Sequence, residues 1–258
     1  MNYKVYWITL CRNEEDIIPF CIPYWQRIAD KVIVYDNHSD DSSLELLSKY
    51  DWIEIRTFDS GGKMNDVIQK EVKEKAYLEF KPQCDIMIIT DMDEVFYFSD
   101  FKAVCDVVIN NDYNVVATPI YSLCEDYKPL YDHSKLLHEQ CHKFYKQRMN
   151  HMKGLDDYSK LSIFNTKITH KITMSVGQHY VTTHPLMKKL LYDDGFNLHI
   201  DKGFGREYYI SKKKKMGQNL SQTNIKGGMG FEYLKSEEEL GKIYDENQKN
   251  SFDLNKKL

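Results

Sequence analysis

Short apolar runs alternate with longer, more polar stretches along the first hundred residues, and each run predicts a strand. Residues 3–10 are apolar and β-rich, and Cys11-Arg12-Asn13-Glu14-Glu15-Asp16 breaks the run with acidic residues that suit a helix's first turn. That helix is expected over 14–29, disturbed by Pro19 and Pro23. Residues 31–35 read as a second strand, closed by a polar cluster over 36–43, and 44–50 as a short helix. A third strand over 52–58, a Gly61-Gly62 loop and a polar amphipathic helix over 64–80 follow. Asp85-Ile86-Met87-Ile88-Ile89-Thr90 is unbroken and Ile-rich, as in a strand covered on both faces, and it ends in Asp91, Asp93 and Glu94.

Strands alternating with helices in this way predict an α/β fold with a parallel sheet flanked by helices. Three successive strand ends then carry polar clusters, 12–16, 36–43 and 91–94, along one edge of the sheet, where open α/β sheets bind ligands. Residues two apart on an extended strand share a side, so Asp91 and Asp93 are expected to converge just past the fourth strand. Their mutual repulsion would be relieved by a hard divalent cation, Mg2+ or Mn2+.

The texture changes beyond Phe98. A helix over 101–110, capped by Ser99-Asp100, and a strand over 114–121 are expected. Residues 122–158 mix charge, His and Tyr without clear period, and 161–181 contain short β-like pieces around 166–167 and 176–177, followed by Leu198-His199-Ile200-Asp201-Lys202. A helix over 205–216, a flexible loop over 219–230 and a helical tail complete the chain. The expected organisation is a catalytic unit over 1–218, with halves 1–98 and 99–218, and an appended tail over 219–258.

Composition narrows the class. The formal net charge is −4 with no sustained basic stripe, which argues against nucleic acid as the main partner. The six cysteines form no Cys-x-x-Cys pair and read as reduced, mostly buried thiols. No signal-peptide pattern opens the chain, and no apolar run approaches the roughly 20 residues that cross a bilayer. A cytoplasmic location is expected. Lys212-Lys213-Lys214-Lys215 reads as a solvated helix end, or as a peripheral contact with anionic lipid of the inner membrane. His138 and His142, at helical spacing but without the Glu of a zinc-protease motif, read as surface.

Taken in order, several of these stretches resemble those of bacterial glycosyltransferases of the family 2-like group, which have the nucleotide-sugar-binding GT-A fold. Arg12-Asn13-Glu14 resembles the opening after the first strand, and Tyr35-Asp36-Asn37-His38-Ser39-Asp40-Asp41 the turn after the second. Thr90-Asp91-Met92-Asp93-Glu94-Val95-Phe96 resembles the metal-binding Asp-x-Asp-Glu stretch. Gly177-Gln178-His179, His199 and Glu207-Tyr208-Tyr209-Ile210-Ser211-Lys212 resemble the closing motifs. The match covers 3–121 and parts of 160–212. Near 121–127 the chain departs from the family, with Tyr121-Ser122-Leu123-Cys124-Glu125-Asp126-Tyr127 in place of a Trp-x-x-Phe-Gly acceptor motif.

The resemblance implies transfer of a sugar from a nucleotide-diphosphate sugar, UDP being the commonest nucleotide, to a glycan or lipid-linked glycan acceptor of a surface polysaccharide, with inversion. It implies Asp91, Asp93 and His199 as ligands of Mn2+ or Mg2+, and Arg12, Asn13, Glu14, Asp36, Asn37, Asp41, Asp91 and Lys202 as donor-binding residues. Arg12 can instead pair with Glu14, and His199, like His179, can be structural. Inversion needs a general base. Glu125 or Asp126 is expected, with Asp156, Asp157 and Glu94 in reserve. Two rival readings stay open. A sugar nucleotidyltransferase would want a Gly-rich basic loop where 11–16 is acidic, and a non-catalytic binding module would bind without turnover.

Overall fold

A computed structural model describes residues 3–125, 131–147, 159–177, 181–182 and 186–254. Along the chain run β1 (Val5–Cys11), α1 (Ile18–Ile28), β2 (Lys31–Asp36), α2 (Ser43–Leu47), β3 (Ile53–Thr57), α3 (Asp66–Phe80), β4 (Ile86–Asp91), β5 (Glu94–Phe98), α4 (Phe101–Asn110) and β6 (Val115–Leu123). The second half adds α5 (Leu137–Gln140), β7 (Phe144–Lys146), β8 (Ser159–Asn165), β9 (Thr173–Met174), β10 (Val181–Thr182), β11 (Lys189–Leu191), β12 (Gly195–His199), α6 (Arg206–Gln218), α7 (Gln222–Lys226) and α8 (Glu237–Lys249).

The main sheet runs β3-β2-β1-β4-β8-β6-β12-β5, with β7 and β11 also paired to β6. The first four strands are parallel, and β8 enters antiparallel between β4 and β6. The expected class, α/β with a mixed, mostly parallel sheet flanked by helices, is therefore what the chain forms. Every residue of β1 is buried. Tyr6, Ile8 and Leu10 face α3 through Ala76, Tyr77 and Phe80, while Val5, Trp7 and Cys11 face α1 and α4. Each fully buried aliphatic or aromatic side chain contributes about 1.5–3 kcal/mol, so two-sided burial of the parallel strands fixes the frame that carries the loops.

Local chemistry sets the helix bounds. α1 starts at Ile18 with Pro19 in its first turn, where a missing N–H costs little, and 14–17 form a separate turn closed by the Ile17 and Ile18 N–H groups on the Glu14 carbonyl. The Asn65 side chain caps α3 at the Ile68 N–H, and Asp100 caps α4 at the Ala103 N–H.

Three expectations are corrected. In place of a flexible loop over 219–230, the chain forms α7, seats Asn224 in the interior and bonds the Asn219 carbonyl to the Met64 N–H. Its polar composition misled because polar side chains there cap and bond within the protein: Asn224 Oδ1 accepts the Asp66 N–H, and Ser221 Oγ accepts the Asn224 N–H. His138 is core rather than surface, its Nδ1 3.0 Å from the Tyr24 hydroxyl. Lys212 and Lys213 do not belong to a solvated helix end; their side chains are 14% and 12% exposed and turn inward. All six cysteines are free and buried, as expected. Among the described residues, no helix is long and apolar enough to cross a membrane.

Candidate active site

Because β1, β2 and β4 are parallel, their carboxyl ends open on one edge, and the three polar clusters meet there. The first two are stitched together. Asn13, held at φ 55°, donates to Asp40 Oδ1 at 2.5 Å and accepts the Asp40 N–H at 2.9 Å. The Glu14 N–H donates to Ser43 Oγ, and the Glu15 N–H to Asp41 Oδ2. Arg12 does not pair with Glu14; its Nη1 donates to the Asn37 carbonyl at 2.8 Å. Asp36 is buried and accepts the hydroxyl and the N–H of Ser39, while Asn37 exchanges hydrogen bonds with Ser60. These contacts make a rigid, polar rim beside the Gly61-Gly62 turn.

Asp91 and Asp93 both reach this edge, but they do not share one point. β4 ends at Asp91 and the chain turns at Met92, so the two-residue alternation of an extended strand stops before Asp93. Asp91 turns toward α3 and β8. Its Oδ1 accepts Lys73 Nζ at 2.6 Å, and its Oδ2 lies 3.7 Å from Lys160 Nζ. Lys160 also donates to both oxygens of buried Glu94, at 2.6 and 2.7 Å. Burial pushes the Asp91 carboxyl up, but Lys73 and then Lys160 outweigh it and hold it well below the usual carboxylate range.

Asp93 faces the other way. Its Oδ2 lies 3.3 Å from His199 Nε2 and 3.5 Å from Lys212 Nζ, and Lys212 also donates to Glu14 Oε2 at 2.9 Å. His199 Nδ1 lies 3.1 Å from Gln147 Oε1 and 3.6 Å from Asp201 Oδ1. Buried Asp201 in turn contacts Lys202 and Lys213, each at 3.3 Å. Burial pushes Glu14 up to about 7 against the pull of Lys212, with Asp93 adding to the rise. Burial lowers His199, but Asp201 and Asp93 overcome it and leave the imidazole above its ordinary value.

This arrangement fits a divalent cation in one way. Two ligands of an octahedral Mg2+ or Mn2+ lie about 3 Å apart, close to the Asp93–His199 separation of 3.3 Å. A neutral His199 that donates Nδ1–H to Gln147 would turn its Nε2 lone pair toward Asp93, the orientation that ligating histidines take. Among the described residues no three of His, Cys, Asp and Glu form a ready-made set. Such ions commonly take one or two protein ligands and complete their shell with substrate phosphate and water.

The remaining predicted residues fall as follows. Lys202 lies over the Tyr209 ring at 5.3 Å and beside Asp201. Glu125 Oε1 accepts the N–H groups of His142 and Lys143, at 2.7 and 3.0 Å. Asp126, Asp156, Asp157 and His179 lie outside the described residues.

Sequence reasoning missed Lys73, Lys160, Asp201, Lys213 and Gln147. Two had a readable signal: Lys160 is the one charge in the stretch Ser159-Lys160-Leu161-Ser162-Ile163-Phe164, and Asp201 stands two residues after His199. Lys73 had none, being one of several lysines on a polar helix.

No known family profile matches the chain, and no curated protein matches it. Solved structures similar to it include S. aureus TarS 1–349, at TM-score 0.47 and 12% identity, covering 84% of this chain and 65% of that one. The same TarS piece in complex with UDP gives 0.47 and 12% over 90% and 70%. Its complex with UDP-GlcNAc gives 0.45 and 11% over 90% and 71%. The chain thus spans less than two thirds of the first of these structures.

Proposed function

We propose that the chain is a glycosyltransferase that moves a sugar from a nucleotide-diphosphate donor, UDP-sugar first, to a hydroxyl of a glycan or lipid-linked glycan acceptor, with inversion. The observation that carries this reading is the meeting of Asp93, His199 and Lys212 with the stitched loops after β1 and β2, at the carboxyl edge of the sheet. The ordered motif resemblance, from Arg12-Asn13-Glu14 to Lys212, supports the reaction class.

Asp93 and His199 would hold Mn2+ or Mg2+, with the donor's phosphates completing the shell. When bound, the cation neutralises charge that grows on the β-phosphate as the anomeric bond breaks. The chain's own cation there is Lys212, whose ammonium can donate to a departing phosphate oxygen. Asn37, Asp36 and Arg12 line the rim where a nucleoside fits, and Asp36 keeps acceptor capacity for base or ribose donors. The acceptor oxygen attacks the anomeric carbon, the carbon–oxygen bond to the diphosphate breaks with its electron pair, and the acceptor's proton passes to a carboxylate. Glu125, fixed by two backbone N–H groups, and Asp126 are the candidates for that base. Any contact with the inner membrane falls to Lys215 and its exposed neighbours, because Lys212 and Lys213 serve the site.

A panel of nucleotide sugars with Mn2+, read by thermal unfolding and by release of nucleoside diphosphate, tests the proposal. One donor should raise Tm, because a ligand bound only by the native state stabilises it. Asp93→Ala should lose both the metal-dependent shift and turnover. Binding without release by the native chain would favour the non-catalytic module, and an unaltered Asp93→Ala variant would refute the assignment.

A further inference from the structure

The helix α6 runs the length of the site. Its carboxyl end meets the nucleoside rim, where Lys63 Nζ donates to the Gln218 carbonyl at 3.4 Å and the Met64 N–H to the Asn219 carbonyl. About 9 Å back along the helix, at its usual rise per residue, Lys212 stands beside Asp93. About 6 Å further from the rim is Tyr208, on the same face as Lys212 because residues four apart share a helix face. The charges of Lys212, Glu14, Asp16 and Asp93 all act on its phenol. The half-buried ring belongs to an aromatic wall. Between ring centres, Phe204 lies 5.0 Å from Tyr208 and 5.2 Å from Phe20, and Phe20 lies 4.6 Å from the exposed His133.

We infer that Tyr208 is the platform on which the acceptor stacks a pyranose ring, so that the acceptor is a ring sugar and not an acyclic polyol phosphate. The inference rests on the site reading above and adds the acceptor's class. A pyranose has C–H groups on its faces and hydroxyls around its rim, so an aromatic ring suits the face and a carboxylate suits the rim. Tyr208 supplies the ring, and Asp16, close enough to act on its phenol, supplies the carboxylate. The same carboxylate repels a phosphate. The wall leads from the cation past Phe20 to His133 at the surface, which leaves room for a glycan to continue. The first turn of α6 is also tied to the candidate base: Tyr209 lies 5.7 Å from Tyr244, whose hydroxyl donates to the Glu125 carbonyl. The segment 121–125 has one ring of its own, Tyr121, and Phe196 and Phe252 engage it edge-on at 5.9 and 5.7 Å. The platform beside that base therefore comes from α6.

The experiment is saturation-transfer NMR, with and without UDP and Mg2+, on methyl glycosides of glucose, galactose and N-acetylglucosamine and on glycerol phosphate as the acyclic probe. At least one glycoside should receive saturation on the protons of one ring face, and glycerol phosphate none. Tyr208→Leu should weaken that glycoside by about tenfold, the size expected when an aromatic contact is lost, and Tyr208→Trp should keep it within about twofold. Calorimetry on Tyr208→Leu should find UDP and the UDP-sugar each bound within about twofold of native. Saturation of glycerol phosphate alone, silence from every glycoside, or a glycoside signal unaltered in Tyr208→Leu overturns the inference. A Tyr208→Leu loss confined to the UDP-sugar also overturns it, because the ring would then hold the transferred sugar.

Should Tyr208→Leu fail to fold, the ring current decides. The glycoside's face protons should move upfield on binding to the native chain and further upfield with Tyr208→Trp, whose larger ring shields more. An identical shift in the two overturns the inference. A native chain that releases no nucleoside diphosphate from any donor, yet loses the glycoside in Tyr208→Leu, would defeat the transferase reading and leave the sugar platform standing.

Discussion

Asp91 and Asp93 stand two residues apart and have unlike surroundings. Behind Asp91 the charges are fixed: Lys73, Lys160 and Glu94 are buried, and the carboxyl itself is held well below its usual range. Around Asp93 they are not, because Glu14 is pushed up to about 7. One acidic turn is thereby split into a static side and a side that changes charge near neutrality. The split comes from the reversal of the chain at Met92, which sends one carboxylate toward α3 and the other toward α6. Residue types alone would have made the two equivalent.

The largest expected effect tests the static side. Lys160→Met removes the ammonium that both Glu94 oxygens accept and leaves a buried carboxylate without it. Breaking a buried pair in this way costs about 3–5 kcal/mol. Urea unfolding should show the midpoint falling with little change in slope. Lys212→Met, whose partner Glu14 is less deeply buried than Glu94, should cost clearly less. An equal or larger loss for Lys212→Met would erase the distinction between the two sides.

This distinction was only half legible in the sequence. The parallel part of the sheet was readable because its strands are apolar on both faces, and Ile86-Met87-Ile88-Ile89 admits little else. The helix 101–110 was readable from its Asp100 cap and apolar face. The loops over 12–16 and 36–43 announced themselves as polar strand ends. What could not be read is which carboxylate meets which lysine, because those pairs join residues far apart, such as Lys160 with Glu94 and Lys212 with Glu14. A run of four lysines looks solvated from composition. It is divided by the helical period, which turns Lys212 toward Asp93 and Lys213 toward Asp201. Local pattern carries no information about such long-range neutralisation.

A smaller effect sharpens the titratable side. The folded Glu14 carboxyl, at about 7, lies above its ordinary 4.5, so the folded chain binds the proton more tightly. Its contribution to stability is therefore fully present below pH 4.5 and is lost as pH rises through 7. The shift bounds that contribution at about 3 kcal/mol. Glu14→Gln removes it. Between pH 5 and pH 8 the native chain should lose Tm relative to Glu14→Gln, and the difference should widen in a Lys212→Met background, where the ammonium that pulls the Glu14 carboxyl down is gone. A difference that stays flat over this range would show Glu14 to be ionised throughout, and the Asp93 side would then be as static as the other.

The smallest expected effect lies on the rim proposed to hold the nucleoside, at the loop after β1. Asn13 combines two features: a positive φ of 55°, and an amide that both donates to and accepts from Asp40. Asn13→Gly keeps the backbone conformation without strain and loses only the two hydrogen bonds, about 1 kcal/mol at an exposed position. Asn13→Ala loses the same bonds and must also hold a Cβ in the left-handed region, adding about 1 kcal/mol. Urea unfolding should therefore rank native above Gly above Ala. Nucleotide affinity should follow the same order, since what the loop offers a nucleoside is its fixed shape. If Gly and Ala prove equal in stability, the side-chain bonds alone hold the loop. If both match the native chain in affinity, the rim is not the nucleoside's contact, and donor binding would have to be sought entirely among the charges around Asp91 and Asp93.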